Sequence, residues 1–265
     1  MSVITLTTDF GTRDWFVGTM KGVMLRIQPR ARLVDITHEV PPGDIRAGAF
    51  ALAAACRFFP KGTVHVAVVD PGVGSARRAI AVQTADCSFV APDNGLLSWA
   101  LTTQRVRAIH ALEEERYFLR PVSHTFHGRD IFAPVVAHLS RGVPLRKLGP
   151  ALTDIVRLDW REPRLLRRGI EGEVVYVDRF GNAITNLRQD ALQRADWVVC
   201  ETRGGRRRVP AGQFYQAVPV GSPVALAGSS GFVEIAVNGG SAASVLGLMP
   251  GSRVGLVLRA LQRQG

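Results

Sequence analysis

Cysteine is scarce in this chain: three residues in 265, Cys56, Cys87 and Cys200, far apart and with no Cys-x-x-Cys pair. That pattern argues against a disulfide framework and a cysteine-based zinc site, and it points to a reducing cytoplasm. Lysine is nearly absent, at 21, 61 and 147 only, so the net charge of +11 rests on arginine. The arginine clusters at 161–168 and 203–208 fall in an expected linker and hairpin. No aromatic residues interleave with them as a base-stacking platform needs, so no nucleic-acid partner is expected. Long apolar runs are missing too. The longest, 47–56, is well short of the roughly 20 residues that span a bilayer and reads as a buried Ala-rich helix, so no membrane association is expected. The opening MSVITLTTDF has no basic segment before an apolar core, and no signal peptide is expected. The histidines form no His-Glu-x-x-His or other metal spacing, so no metal is expected. The glycines of Pro71-Gly72-Val73-Gly74 lack the Lys-Ser/Thr of a phosphate-binding loop.

What is present is a globular composition, 46% hydrophobic and 21% charged. The most informative stretch is VHVAVVDPGVGSAR at 64–77. Its β-branched run predicts a strand buried on both faces, stopped by Pro71, with Asp70 on the tight loop at its carboxyl end. In open α/β sheets that edge is where ligands bind. Before it, the pattern predicts a strand over 3–8 ending in Asp9-Phe10-Gly11, a helix over 14–28 and a strand over 32–37. Asp44 then caps a helix over 45–58. After it come strands over 79–84, 88–90 and 106–112, a short helix from Leu96, and a helix over 131–139. This alternation predicts an α/β fold, a mostly parallel sheet with helices on both faces. The character changes near 149. From 172 onward, short strands pair across glycine turns: 173–178 with 183–187, 197–202 with 207–210, and 223–227 with 232–237. These predict a smaller antiparallel β-barrel or sandwich. The expected organisation is an N-terminal α/β domain over 1–155, a linker over 156–168 and a C-terminal β-barrel domain over 169–265.

Asp70, Arg77 and His127 form the first candidate constellation. A carboxylate, a guanidinium and an imidazole can orient and polarise a water, with the carboxylate fixing the histidine tautomer. Spacing alone leaves open a structural ion pair beside an unrelated loop histidine. Asp9 and Asp178 each end a strand before Phe-Gly. Such carboxylates can take vicinal sugar hydroxyls or an ammonium, and equally can serve as turn-formers. Asn182, Phe214, Ser229, Ser230 and Asn238 form a looser group that could read and stack a base, or be turn residues and a core aromatic.

Several long motifs carry a resemblance. TTDFGTRDWFVGTMKGVM (7–24), DITHEVPPGDIRAGAFAL (35–52), FPKGTVHVAVVDPGVGSARR (59–78), APDNGLLS (91–98), TFHGRDIFAPVVAHL (125–139), VDRFGNAITNL (177–187) and GSSGFVEIAVNGGSA (228–242) occur in order across nearly the whole chain. The sequence resembles the S-adenosylmethionine (SAM) hydroxide adenosyltransferases, relatives of the fluorinating and chlorinating SAM enzymes. The resemblance implies attack by water or hydroxide on C5′ of SAM, giving adenosine and L-methionine without a cofactor. It implies a homotrimer with SAM held where one subunit meets the next. It carries catalytic roles to Asp70, Arg77 and His127, and ribose binding to Asp9. Asp14, Asp178 and Ser229 fall near the methionine end, and Ser230 is a further substrate-binding candidate. Asn182, Phe214, Asn238 and Gly239 fall at the adenine site, and Phe180 on the pocket wall. A SAM-dependent halogenase and a non-catalytic SAM-binding protein are the alternatives. In the halogenating relatives tyrosines stand at the positions of Asp70 and His127, and the fluorinating enzyme has a large aromatic where this chain has Gly43.

Overall fold

The structure is a computed structural model and describes residues 2–159, 161–167, 169–202 and 204–258. Arg168, Arg203 and the part of the expected C-terminal domain after 258 lie outside this set. Two compact units emerge, Met1–Leu158 and Asp159–Gly265.

The first unit alternates strand and helix: β1 (Val3–Thr8), α1 (Phe16–Ile27), β2 (Arg32–Thr37), α2 (Ile45–Cys56) and β3 (Val64–Val68), then β4 (Ala79–Thr84), β5 (Ser88–Pro92), β6 (Val106–Ala111) and α3 (Ala133–Ser140). The sheet order is β2-β1-β3-β5-β4-β6; the first four run parallel, and β4 is antiparallel to both its neighbours. β3 is buried along its whole length, as its valine run requires. Alternation splits β1 between two layers. Ile4 and Leu6 join the core built with α1 and α3. α2 packs on β1, β2 and β3 from the other face, where a Cβ on Gly48 would come within 2.9 Å of Val69 and Leu96. Asp44 caps α2 by accepting the Ala47 N–H at 2.9 Å. Thr8 pairs with Val68. Asp9 and Asp70 therefore leave adjacent strands at the same edge of the sheet.

Two local expectations are corrected. No helix forms at Leu96: residues 95–104 make successive turns, with Ser98, Thr102 and Gln104 bonding back three residues and only Leu101 four. The helix expected over 131–139 begins earlier, with a π-type turn at Gly128–Phe132 that runs into α3. Gly128 permits it. A Cβ there would crowd Phe126, Met20 and Phe10 at 3.1–3.3 Å.

The second unit holds β7 (Arg164–Leu166), β8 (Gly169–Val177), β9 (Ala183–Arg188), a short α4 (Gln189–Leu192), β10 (Ala195–Thr202), β11 (Gly205–Pro210), β12 (Pro223–Ala227), β13 (Phe232–Val237), a short α5 (Ala242–Leu246) and β14 (Arg253–Leu258). The order β11-β10-β14-β8-β9-β13-β12 is antiparallel throughout. An Ala211–Ala225 bridge and a Gly212 N–H to Ala225 carbonyl bond of 2.9 Å bring its ends together as a nearly closed barrel. The three expected hairpins form. β14 was not anticipated, and β7 lies inside the expected linker, where it pairs with β8.

Candidate active site

Arg77 stands at the centre of the first constellation. Its Nε donates to both Asp70 oxygens, at 3.0 and 2.9 Å, and one terminal nitrogen donates to Asp70 Oδ2 and, at 2.9 Å, to His127 Nδ1. The guanidinium also lies over the ring of fully buried Phe132, 5.3 Å from its centroid. The Asp70 side chain is only 4% exposed. The order is thus carboxylate, guanidinium, imidazole. This corrects the expectation that the carboxylate fixes the histidine tautomer. A guanidinium has no acceptor, so His127 Nδ1 must be bare, and in the neutral ring the proton sits on Nε2. Burial first, and then the adjacent Arg77 cation, hold the His127 pKa below its ordinary value.

The loop bearing Asp70 and the loop bearing His127 are built to meet. Gly74, at φ 78°, lies so close to His124 that a Cβ would fall 2.3 Å from its carbonyl oxygen. Fully buried Asp130 accepts the Ser123 N–H at 2.9 Å and is paired with Arg129, which braces the His127 segment. Burial alone would raise the Asp130 pKa, but Arg129 and the Ser123 N–H bring it below normal.

Asp9 and Asp70 line one cleft of about 420 Å³ together with Gly43, Pro71 and the rings of Phe10, Phe16 and Phe126. Phe126 packs edge-on against Phe10 and Phe16, which are tilted to each other, at 5.2–5.9 Å between centroids. Asp9 Oδ2 accepts the Gly43 N–H at 2.8 Å. Asp14 is exposed just before α1 and does not cap it.

The C-terminal candidates gather around two turns. Asp178 Oδ1 accepts the Phe180 and Asn182 N–H groups, and Oδ2 accepts Asn182 Nδ2 at 3.0 Å. Asn238 Nδ2 donates to the Val218 carbonyl at 2.8 Å, and Gly239 has φ 71°. The Asn182 side chain is thus engaged by the Asp178 carboxylate, and the Asn238 side chain ties down the backbone of its own unit. Ser229 and Ser230 occupy the β12–β13 turn, and Ser230 Oγ is buried without a partner among the described residues. Phe180 and Phe214 are 77% and 58% exposed. Sequence reasoning missed Glu234, buried on β13. It accepts the Tyr215 O–H at 2.7 Å, next to Phe214. That bond and burial push the Tyr215 pKa up to about 12, and burial raises that of Glu234. A charged residue inside the alternating strand FVEIAV was the available signal. Among the described residues, no group of three or more His, Cys, Asp or Glu is arranged to hold a metal ion, and no helix is long and apolar enough to cross a membrane.

The family models for the SAM hydroxide adenosyltransferase N-terminal and C-terminal domains match residues 4–149 and 172–255. The chain belongs to the SAM hydroxide adenosyltransferase family. It is 42% identical over 264 residues to a Thermus thermophilus protein named (R)-S-adenosyl-L-methionine hydrolase, covering 97% of this chain and 100% of the relative. A Salinispora tropica protein of the same name is 44% identical, covering 95% and 96%. The crystal structure of a conserved protein from Thermotoga maritima superposes with a TM-score of 0.90 at 38% identity, covering 97% and 100%. A protein named fluorinase from Actinoplanes is more distant, 30% identical over 73% of this chain and 74% of its own. Within this family member, Arg77 is the structural hub: it contacts both groups that could handle a water.

Proposed function

We propose that this protein hydrolyses S-adenosyl-L-methionine to adenosine and L-methionine by in-line attack of water on the ribose C5′. The observation that carries the reading is the Asp70–Arg77–His127 array, with Asp70 on the same cleft as Asp9. The names of the full-length relatives support it. A water oxygen forms the new bond to C5′. The C5′–S bond breaks with its electron pair moving to sulfur, which leaves as a neutral thioether and needs no general acid. The water proton passes first to Asp70, which keeps lone pairs beyond those used by Arg77, and then to solvent. His127 donates through Nε2–H to the attacking oxygen and fixes its line of approach. That role replaces the acceptor role that a bare Nε2 would have had. Asp9 holds the ribose hydroxyls, and no metal or other cofactor takes part. The reaction is placed in the cytoplasm.

The working unit is a homotrimer in which a neighbouring subunit supplies Asp178, Ser229 and Ser230 toward methionine, with Asp14. The same neighbour supplies Asn182, Phe214, Asn238 and Gly239 toward adenine, with Phe180 on the pocket wall. Exposure of Phe180 and Phe214 in the single chain supports this, because large bare rings mark surfaces that a ligand or partner covers. A halide nucleophile fits less well. A dehydrated anion needs donors, and the Asp70 oxygens only accept. Incubating the protein with SAM and separating the products tests the reading. Adenosine and methionine in equal amounts are expected; methylthioadenosine or S-adenosylhomocysteine as the main product would overturn it.

A further inference from the structure

Behind the Asp9 loop lies a second polar array that the reaction does not touch. His38 is 3% exposed. Its Nδ1 is 2.8 Å from Thr8 Oγ1, and its Nε2 is 3.0 Å from Asp35 Oδ1, close enough for an ion pair though not aligned as a hydrogen bond. Carboxylate, imidazole and hydroxyl thus follow one another as in a nucleophilic triad. Thr8, however, is fully buried, and its oxygen already accepts the Phe10 N–H at 3.3 Å. No substrate can reach it, so the array does not make a nucleophile.

Its geometry suits a brace instead. An imidazole nitrogen 3.0 Å from a carboxylate must carry the proton, since two lone pairs would repel. In the neutral ring Nδ1 is then bare and accepts the Thr8 O–H, which turns the lone pairs of Thr8 toward the Phe10 N–H. The His38 carbonyl accepts the Gly11 N–H at 2.7 Å. One residue therefore holds both ends of Phe10-Gly11, by side chain through Thr8 and by main chain directly. Lys21 fixes the other Asp35 oxygen at 2.6 Å. Asp9, on this loop, has Oδ2 committed to Gly43, and its second oxygen depends on the loop for its aim.

We propose that Asp35, His38 and Thr8 are positioning residues that hold the Asp9 loop in register for the ribose hydroxyls; this rests on the reading of Asp9 as the ribose ligand. The test uses the full-length protein and titrates adenosine and methionine separately, alongside KM and kcat for SAM. Thr8→Val removes the hydroxyl at nearly constant volume. It should weaken adenosine binding and raise KM roughly five- to tenfold, the scale of one lost hydrogen bond. The kcat should stay within about twofold, and methionine affinity should not move. Thr8→Ser restores the hydroxyl and should recover the affinity. In an Asp9→Ala background Thr8→Val should have no further effect on adenosine, because its influence passes through Asp9. Additive losses in that double variant, or adenosine and methionine affinities falling together, would overturn the proposal. Asp35→Asn, at an exposed position, carries the same cycle should Thr8→Val not fold. Unchanged adenosine affinity in Asp9→Ala alone is a separate result, and it would overturn the ribose reading itself.

Discussion

Replacing Arg77 with methionine removes the hub of the site and gives a stability effect whose size can be worked out. The side chains of Arg77 and Asp70 are 11% and 4% exposed, so the pair is largely shielded from water. Removing one member of a buried pair costs about 3–5 kcal/mol, because the remaining charge is left without compensation. Asp70 lines an open cleft, and water there offsets part of the cost, which places the effect near the lower end. About 3 kcal/mol corresponds to a fall of roughly 6–12 °C in the melting of a unit the size of Met1–Leu158. Differential scanning calorimetry reads this directly. Adding Asp70→Asn to Arg77→Met removes the stranded charge and should recover at least about half of the loss. A melting shift under about 2 °C for Arg77→Met, or full additivity in the double variant, would refute the reasoning.

Three further outcomes follow from the same structure. His65 is 1% exposed, stacks on Phe89 at 5.0 Å and has its pKa lowered by burial to about 4. The unfolded chain takes up a proton below about 6.5 that the folded chain refuses. Stability should therefore fall by roughly 3 kcal/mol as pH drops from 6.5 through 4. Urea titrations at pH 7 and pH 4.5 should show a smaller difference for His65→Gln, and an unchanged difference would refute this. Asp70→Asn should cut turnover roughly 10²–10⁴-fold with SAM binding little altered; loss of binding with normal turnover of the bound fraction would make Asp70 a binding residue only. Mixing inactive Asp70→Ala chains with inactive Asn182→Ala chains should restore part of the activity if neighbouring subunits share sites, whereas a fully active monomer by light scattering would rule that out.

Much of this was readable from residue order. The valine run at 64–69 and its Pro71 stop located Asp70 at the sheet edge, because burial and the missing proline N–H act locally. Hairpins with glycine turns were legible for the same reason. β14 was not anticipated, although Val254 and Leu256 alternate inward: its partners β8 and β10 are distant in sequence, and no hairpin announces it. The set Asp70, Arg77 and His127 was legible, but its internal order was not. Which group sits between the other two depends on the reach of Arg77 and on the Phe132 ring beneath it. The Asp35–His38–Thr8 array escaped entirely, since it joins β1 to β2 and the loop beyond through tertiary contact.

If water attacks C5′, solvent oxygen becomes the 5′-hydroxyl of adenosine. A reaction run in oxygen-18 water, with the adenosine examined by mass spectrometry, tests it most directly. One oxygen-18 atom at the 5′ position and unlabelled methionine are expected; adenosine free of label, or a nucleoside product carrying no new oxygen at C5′, would rule out attack by water at C5′.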